Sequence, residues 1–260
     1  MVWPKADNVI GRALHLYGEF AEGENRIMAR YVQAGDVVVD VGANLGTTVL
    51  PLANAVGAQG EVIAFEPQPL MAQCLQTTLT LNERFNVRVI TSALAEKSGW
   101  AHIRAPDVSH GGNYGAMSLG GEGLQVPVMR LDDLDLPKCA LVKIDVEGYE
   151  WPVIQGAHKQ LLGHRPVVYM EAKRIAGTVA CLAWLRDNGW RCYWHFAAFY
   201  RPGNFRNNPE NVFGATGDMN VLAVPSEKFQ PEDLPEIGNP EENWQDVYAG
   251  FYRQRGLQMP

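Results

Sequence analysis

The sequence predicts an α/β fold built on a parallel sheet, and three observations support that prediction. Residues 36–50 read Asp-Val-Val-Val-Asp-Val-Gly-Ala-Asn-Leu-Gly-Thr-Thr-Val-Leu. The β-branched run suits a strand buried on both faces, Gly42 and Gly46 bracket a tight turn, and the apolar spacing that follows is that of a helix laid back on the strand. Further short apolar runs alternate with helix-period stretches along the chain, as repeated strand–helix–strand units require. Three of those runs end on an acid, namely Glu66, Asp145 and Glu171, at the end of the sheet where open α/β folds bind ligands.

Residues 1–34 read as a helical lead-in, with Phe20, Ile27, Met28, Tyr31 and Val32 on one helical face. The turn after the first strand has glycines that let backbone approach a ligand, and the free N–H groups opening the helix point at any carboxylate or phosphate placed there. A dinucleotide fingerprint wants Gly-x-Gly-x-x-Gly, whereas here Asp40 precedes Gly42, Asn44 stands at the middle glycine, and Gly46 follows. Asp40, Gly42, Ala43, Asn44, Gly46 and Thr47 are therefore candidate cofactor residues. The run 61–65 is the next strand and leads to Glu66-Pro67. Glu66 follows Gly46 by 20 positions, where such folds place a carboxylate on ribose hydroxyls.

A crossover helix over 70–82 and a third strand over 87–90 come next, and Ser92, Ala93 and Leu94 at its exit are candidates for a purine wall. Glycines break every period between 96 and 131, leaving only 100–103 and 125–129 as short strands of a hairpin-bearing excursion. Asn113 and Tyr114 near its tip are candidate substrate contacts. The fourth strand, 140–145, ends on Asp145 at the topological switch point, which makes that carboxylate the first catalytic candidate. Glu147 follows it as a second. Glu150 suits the first turn of the next helix, where an acid favours the macrodipole; Val153, Ile154, Ala157, Leu161 and Leu162 form that helix's apolar side.

The fifth strand, 166–171, exits on Glu171, a helix over 179–187 stops at Asn188-Gly189, and 190–196 and 220–225 supply two last strands. The connection between them, 197–219, has no period, and unstructured loops of that length are usually functional. Its Tyr200, Asn204, Arg206 and Asn207 read as an acceptor-binding lid offering flat faces and paired donors and acceptors. The tail opens with a solvated acidic linker around Pro231, Asp233 and Glu236. It ends with Trp244, Val247, Tyr248, Phe251 and Tyr252 at helical spacing, a face that would dock on this chain or on a twin in a homodimer.

Composition sets outer limits. The 260 residues allow one large α/β domain, divided here into the lead-in 1–34, a core domain 35–226 and a tail 227–260. No apolar stretch is long enough to span a membrane and the opening residues do not form a signal peptide, so a cytoplasmic location is the expectation. A net charge of −7 argues against a broad basic face for nucleic acid and favours a small-molecule or glycan partner. Cys74, Cys139, Cys181 and Cys192 are scattered without a Cys-x-x-Cys pair, so buried free thiols are expected and a zinc site is not.

Four stretches together carry a family resemblance: 17–24 (Tyr-Gly-Glu-Phe-Ala-Glu-Gly-Glu), 35–46 with its Asp-x-Gly-x-x-x-Gly turn, Leu131-Asp-Asp-Leu134, and Lys143-Ile-Asp-Val-Glu-Gly-Tyr-Glu150. The turn looks like motif I of the class I S-adenosylmethionine (SAM) methyltransferases, and the whole of 17–225 resembles the FkbM family within them. The run 204–213 also resembles a segment of bacterial members, while Thr47-Thr48 departs from the family's more usual choices. The resemblance implies the class I methyltransferase Rossmann-like fold, a seven-stranded, mostly parallel sheet with an antiparallel last strand. It also implies SAM as methyl donor, Glu19 on the cofactor side, and a hydroxyl acceptor on a sugar, glycan or polyketide-like molecule. Transfer to an alcohol needs a base, for which Asp145, then Glu147, then His195 are candidates, and no metal is expected. An NAD-linked enzyme of similar fold and a non-catalytic SAM-binding module are the alternatives.

Overall fold

The computed structural model of the protein describes residues 1–104, 112–115, 119–120, 122–172 and 175–255. Part of the glycine-rich excursion predicted over 96–131 thus lies outside the described residues. The strands are β1 (Val37–Val41), β2 (Glu61–Phe65), β3 (Val87–Ile90), β4 (Ala93–Leu94), β5 (Gly99–Ile103), β6 (Leu124–Met129), β7 (Leu141–Ile144), β8 (Val167–Glu171), β9 (Trp190–Ala198) and β10 (Gly217–Pro225). The helices are α1 (Ile10–Tyr17), α2 (Glu22–Met28), α3 (Val49–Val56), α4 (Pro69–Leu81), α5 (Glu150–Gln155), α6 (His158–His164), α7 (Ile175–Asp187) and α8 (Trp244–Gln254).

Seven strands form one sheet in the order β3-β2-β1-β7-β8-β10-β9. All neighbours pair in parallel except β10, which runs antiparallel to both β8 and β9. Strand order reverses between β1 and β7, and this switch point opens the crevice that the fold offers to ligands. The β-branched runs are central because helices cover both faces. Val39, Val41, Ile63, Ile144 and Met170 pack on one side against Val153, Ile154 and Leu182 of α5 and α7. Val38, Val62 and Leu141 pack on the other against Ile27 of α2 and Leu52 and Leu75 of α3 and α4. Each such side chain taken from water contributes about 1.5–3 kcal/mol. A second sheet, β4-β6-β5, springs from the end of β3, and Ser92 fastens it by donating to the Pro127 carbonyl at 3.0 Å.

Three expectations are corrected. The helix expected after Asp145 is split in two, and Gly156 stands at the break because its backbone lies so close to the Ala95 carbonyl that an added Cβ would sit 2.0 Å from that oxygen. Leu162 of α6, expected on the buried side, is 48% exposed. The acidic linker of the tail keeps its acids exposed but is docked through its backbone, its buried apolar residues and ion pairs. Asp233 takes two hydrogen bonds from Arg30 at 2.7 Å, Glu236 pairs with Arg191, and the Trp194 N–H donates to the Pro235 carbonyl at 2.9 Å. The tail thereby covers the outer edge of β9, whose polar groups would otherwise be open to pairing. All four cysteines are buried and unbridged. Among the described residues no helix is long and apolar enough to cross a membrane.

Candidate functional site

The turn after β1 is held from three sides. Gly42 has φ +84°, a left-handed conformation, and a Cβ built there would lie 1.8 Å from the Asp145 carbonyl oxygen. Glycine is therefore required by both backbone shape and space. Asn44 also lies in the left-handed region, at φ 48°, and its N–H donates to Glu66 Oε2 at 2.8 Å. The other Glu66 oxygen accepts the Gln68 N–H at 2.8 Å. Burial pushes the Glu66 carboxyl up to about 7, against the pull of these two N–H groups. Beneath the turn, Asp40 is wholly buried and accepts from the Thr48 hydroxyl at 2.5 Å. Gly42, Asn44, Glu66, Pro67, Ser92, Ala93, Leu94 and Asp145 line one crevice, together with Phe65, Gln68, Ile103 and Val146.

The crevice meets a second cavity at Asp145. The turn from Asp145 to Gly148 carries Glu147 at φ 55° and Gly148 at φ 96°. A left-handed glutamate is uncommon and costs roughly 1–2 kcal/mol, and such outliers gather at functional turns. This conformation lets Glu147, like Asp145, border both spaces. The second cavity is lined by Phe20, Asn44, Asn113, Asp145, Glu147, Glu171, Phe199 and Asp218, among others. Four carboxylates therefore face it, with two aromatic rings, Phe20 and Phe199, whose centroids are 4.8 Å apart. One oxygen each from Asp145, Glu147 and Glu171 can be chosen so that all lie within 4.8 Å of one another, a spacing at which a divalent cation could be held by oxygen ligands. No metal is expected from the sequence, yet the fold sets β7 and β8 side by side and brings these three carboxylates together.

A buried network supports this junction. Lys143 of β7 lies 3.4 Å from Asp40 Oδ1 and 3.2 Å from Asp145 Oδ2. Burial alone would lower its pKa, but Asp40, Asp145 and Glu24 outweigh that and raise it, so it stays an ammonium. Glu24 of α2 accepts from the Asn220 side chain at 3.2 Å, and burial raises its carboxyl to about 8.

The structure places the remaining predicted residues elsewhere. Ala43, Gly46 and Thr47 belong to the turn without lining the crevice; the Thr47 carbonyl accepts from Asn25 at 3.3 Å. His195 lies on β9, hydrogen-bonded through Nδ1 to the Tyr169 hydroxyl at 2.7 Å. It lines a separate cavity with Arg30 and Tyr248, and burial pushes its imidazole down to about 4. Glu19 is not at the cofactor crevice. It takes two hydrogen bonds from Arg201 at 2.9 and 2.8 Å and a third from the Phe205 N–H at 2.8 Å, which anchors the long connection.

The expected lid residues stand outside the second cavity for a related reason. Asn204 is buried and its amide donates to the Arg201 and Asn208 carbonyls at 3.2 and 2.7 Å. Asn207 turns the chain at φ 52°, Arg206 and Asn207 are exposed, and the Tyr200 hydroxyl donates to the Pro209 carbonyl at 3.1 Å. Only the two ends of the connection, Phe199 and 216–218, reach the cavity. Tyr114 is 2% exposed and packs with Ile10, Leu45 and Met71, so of the Asn113-Tyr114 pair Asn113 alone lines it. Sequence reasoning missed Gln68, Phe20, Asp218 and Lys143. Of these only Lys143 carried a legible signal, since a lysine inside a core strand implies a buried charge with partners.

The methyltransferase FkbM domain family matches this chain over residues 40–192, more than half of its 260 residues. None of the curated proteins matches it. Among solved structures, methyltransferase FkbM from Methylobacillus flagellatus KT superimposes with a TM-score of 0.51 at 15% identity, over 73% of this chain and 43% of that one. The chain thus spans less than half the length of that relative. Precorrin 8w decarboxylase from Methanobacterium thermoautotrophicum superimposes with a TM-score of 0.50 at 15% identity, over 86% of this chain and 99% of the other. At these identities the likeness shows the fold, a class I methyltransferase sheet with its antiparallel last strand.

Proposed function

The chain belongs to the FkbM methyltransferase family, and from that premise we propose that it moves a methyl group from SAM to a hydroxyl oxygen of a polyhydroxylated acceptor, a sugar, glycan or polyketide-like molecule. The observation that carries the reading is the position of Asp145. It borders the crevice of Gly42, Asn44, Glu66 and Ser92 on one side and the cavity of Phe20, Asn113 and Phe199 on the other.

The first crevice suits a nucleoside carrying an amino acid. Gly42 presents bare backbone where a Cβ has no room. Glu66 is 3% exposed and would take ribose hydroxyls as donors when ionised, and Phe65, Leu94 and Ile103 give the apolar walls that a purine needs. When bound, SAM supplies a methyl group on a sulfonium, which an oxygen lone pair attacks in line. The enzyme's part is to hold that oxygen about 3–3.5 Å from the methyl carbon and to accept the proton that the hydroxyl gives up, worth on the order of 10²–10⁴ in rate. We assign both tasks to Asp145, which borders both spaces together with Glu147. The carboxylates around the cavity also favour a positive sulfonium and disfavour anionic acceptors such as phosphorylated sugars. Asn44 and Asn113 offer amides to hydroxyl groups, and Phe20 and Phe199 offer apolar faces.

Calorimetric titration with S-adenosylhomocysteine and with NAD, followed by methyl-labelled SAM and a panel of neutral glycosides, tests the reading. Binding of the first ligand alone and label transfer to a glycoside are expected; binding of NAD alone would overturn it. The closeness of Asp145, Glu147 and Glu171 favours a second reading in which a divalent cation carries the acceptor oxygen. Loss of transfer on chelation and its recovery with Mg²⁺ would select that reading, whereas unchanged transfer would select Asp145 as base.

A further inference from the structure

We propose that Lys143 is a positioning residue for methyl transfer, its ammonium bridging Asp40 beneath the glycine turn and Asp145 at the junction of the two cavities. The inference rests on the methyl-transfer reading and concerns a residue that touches neither cavity.

Lys143 lies within β7, where all four residues are buried, and its side chain is 5% exposed. An ammonium removed from water costs several kcal/mol unless well paired, so a lysine here persists only through its partners. Those partners follow from register. Asp40 of β1 is directly opposite Lys143 in the parallel pair, which puts both side chains on one face of the sheet. Asp145 comes two residues later on the same strand line, and the period of two returns it to that face. The ammonium thus meets Asp40 Oδ1 at 3.4 Å and Asp145 Oδ2 at 3.2 Å.

The two carboxylates differ in what they need from it. Asp40 is already fixed, wholly buried and bonded to Thr48. Asp145 has a side chain 39% exposed and stands at the edge of open space. Tying Oδ2 to Lys143 selects one side-chain orientation for Asp145 and leaves its other oxygen for an acceptor hydroxyl. The lysine also joins the strand that carries the cofactor turn to the strand that carries the base. A shift in one is therefore resisted by the other, and an error of about 1 Å at the reacting oxygen costs on the order of a hundredfold in rate. If Lys143 only neutralised Asp40, the orientation of Asp145 would not depend on it.

Lys143→Met alone leaves Asp40 buried without a counter-charge, which can prevent folding. The decisive variant is therefore the double substitution Asp40→Asn with Lys143→Met, which removes both buried charges while leaving an oxygen for Thr48. Its S-adenosylhomocysteine affinity should stay within about threefold of wild type, since neither residue lines the crevice. Its kcat on the glycoside used by the wild type should fall by about a hundredfold or more with KM little changed, the pattern of an interaction needed only in the transition state. The triple variant that adds Asp145→Asn should be no slower than Asp145→Asn alone, because Lys143 acts through that carboxylate.

A crystal structure of the double variant with S-adenosylhomocysteine gives a readout that needs no acceptor. Asp145 should occupy more than one rotamer there and a single one in the wild type. One unchanged rotamer in both proteins, or a kcat within threefold of wild type, would overturn the positioning role. A wild type that binds S-adenosylhomocysteine, holds Asp145 as described and methylates no acceptor would overturn the transfer reading and leave the structural tie demonstrated.

Discussion

Replacing Glu66 tests the cofactor crevice most sharply, because both of its oxygens are committed in the folded chain. Oε2 accepts the Asn44 N–H and Oε1 the Gln68 N–H, each at 2.8 Å, and the lone pairs that remain are those a ribose would engage. Glu66→Ala removes charge-assisted bonds worth about 1.5–3 kcal/mol. At 1.4 kcal/mol per decade, the Kd for S-adenosylhomocysteine should rise roughly tenfold to a hundredfold. Glu66→Gln keeps one acceptor but turns an NH₂ toward a backbone N–H, so it should lose about tenfold. The pH dependence has a defined sign. Burial holds the carboxyl near 7, above the ordinary 4.5, while ribose hydroxyls donate more strongly to the ionised form. Affinity should therefore rise between about pH 6 and pH 8 in the wild type and stay flat in Glu66→Gln. In the ligand-free protein the same raised value gives stability that is fully present below 4.5 and lost as pH climbs through about 7. Calorimetry at three pH values reads all of this. A loss under twofold in Glu66→Ala, or a wild-type affinity independent of pH, would refute the assignment.

The other predictions follow from the same geometry. Gly42→Val should abolish cofactor binding in a chain that still shows folded circular dichroism, because its Cβ would collide with the Asp145 carbonyl; wild-type affinity in that variant would contradict the described turn. Asp145→Asn should lower kcat by about 10²–10⁴ with S-adenosylhomocysteine affinity within about threefold, and equal falls in both would put Asp145 in the cofactor shell. Arg206→Ala and Asn207→Ala, both on the exposed outside of the long connection, should leave the acceptor's KM within about twofold. A larger rise in KM would restore that segment to the acceptor site.

What could be read from the sequence followed from local chemistry. The strand from Val37 to Val41, the glycine turn and the acids ending β2, β7 and β8 are set by short-range patterns, so the sheet and the crevice around Gly42, Glu66 and Asp145 were legible. The long connection was misread because asparagines and aromatics suit both a sugar site and a self-bonded loop. Asn204 spends its amide on Arg201 and Asn208, and no spacing within 197–219 announces that Glu19, far earlier in the chain, fastens it. His195 was drawn toward catalysis by residue type, yet its strand position places it beside Tyr169. Of the four carboxylates around the second cavity only Asp218 was not visible, since it reaches the cavity through the antiparallel β10.

The most direct measurement is the site of the transferred methyl. Incubating the protein with ¹³C-methyl SAM and the neutral glycoside panel, then reading the product by NMR, should reveal a methyl ether carbon on an acceptor hydroxyl, in amounts matching the S-adenosylhomocysteine formed. A label found on nitrogen or carbon, or cofactor bound with no label transferred to any acceptor, would contradict oxygen-directed methyl transfer at Asp145.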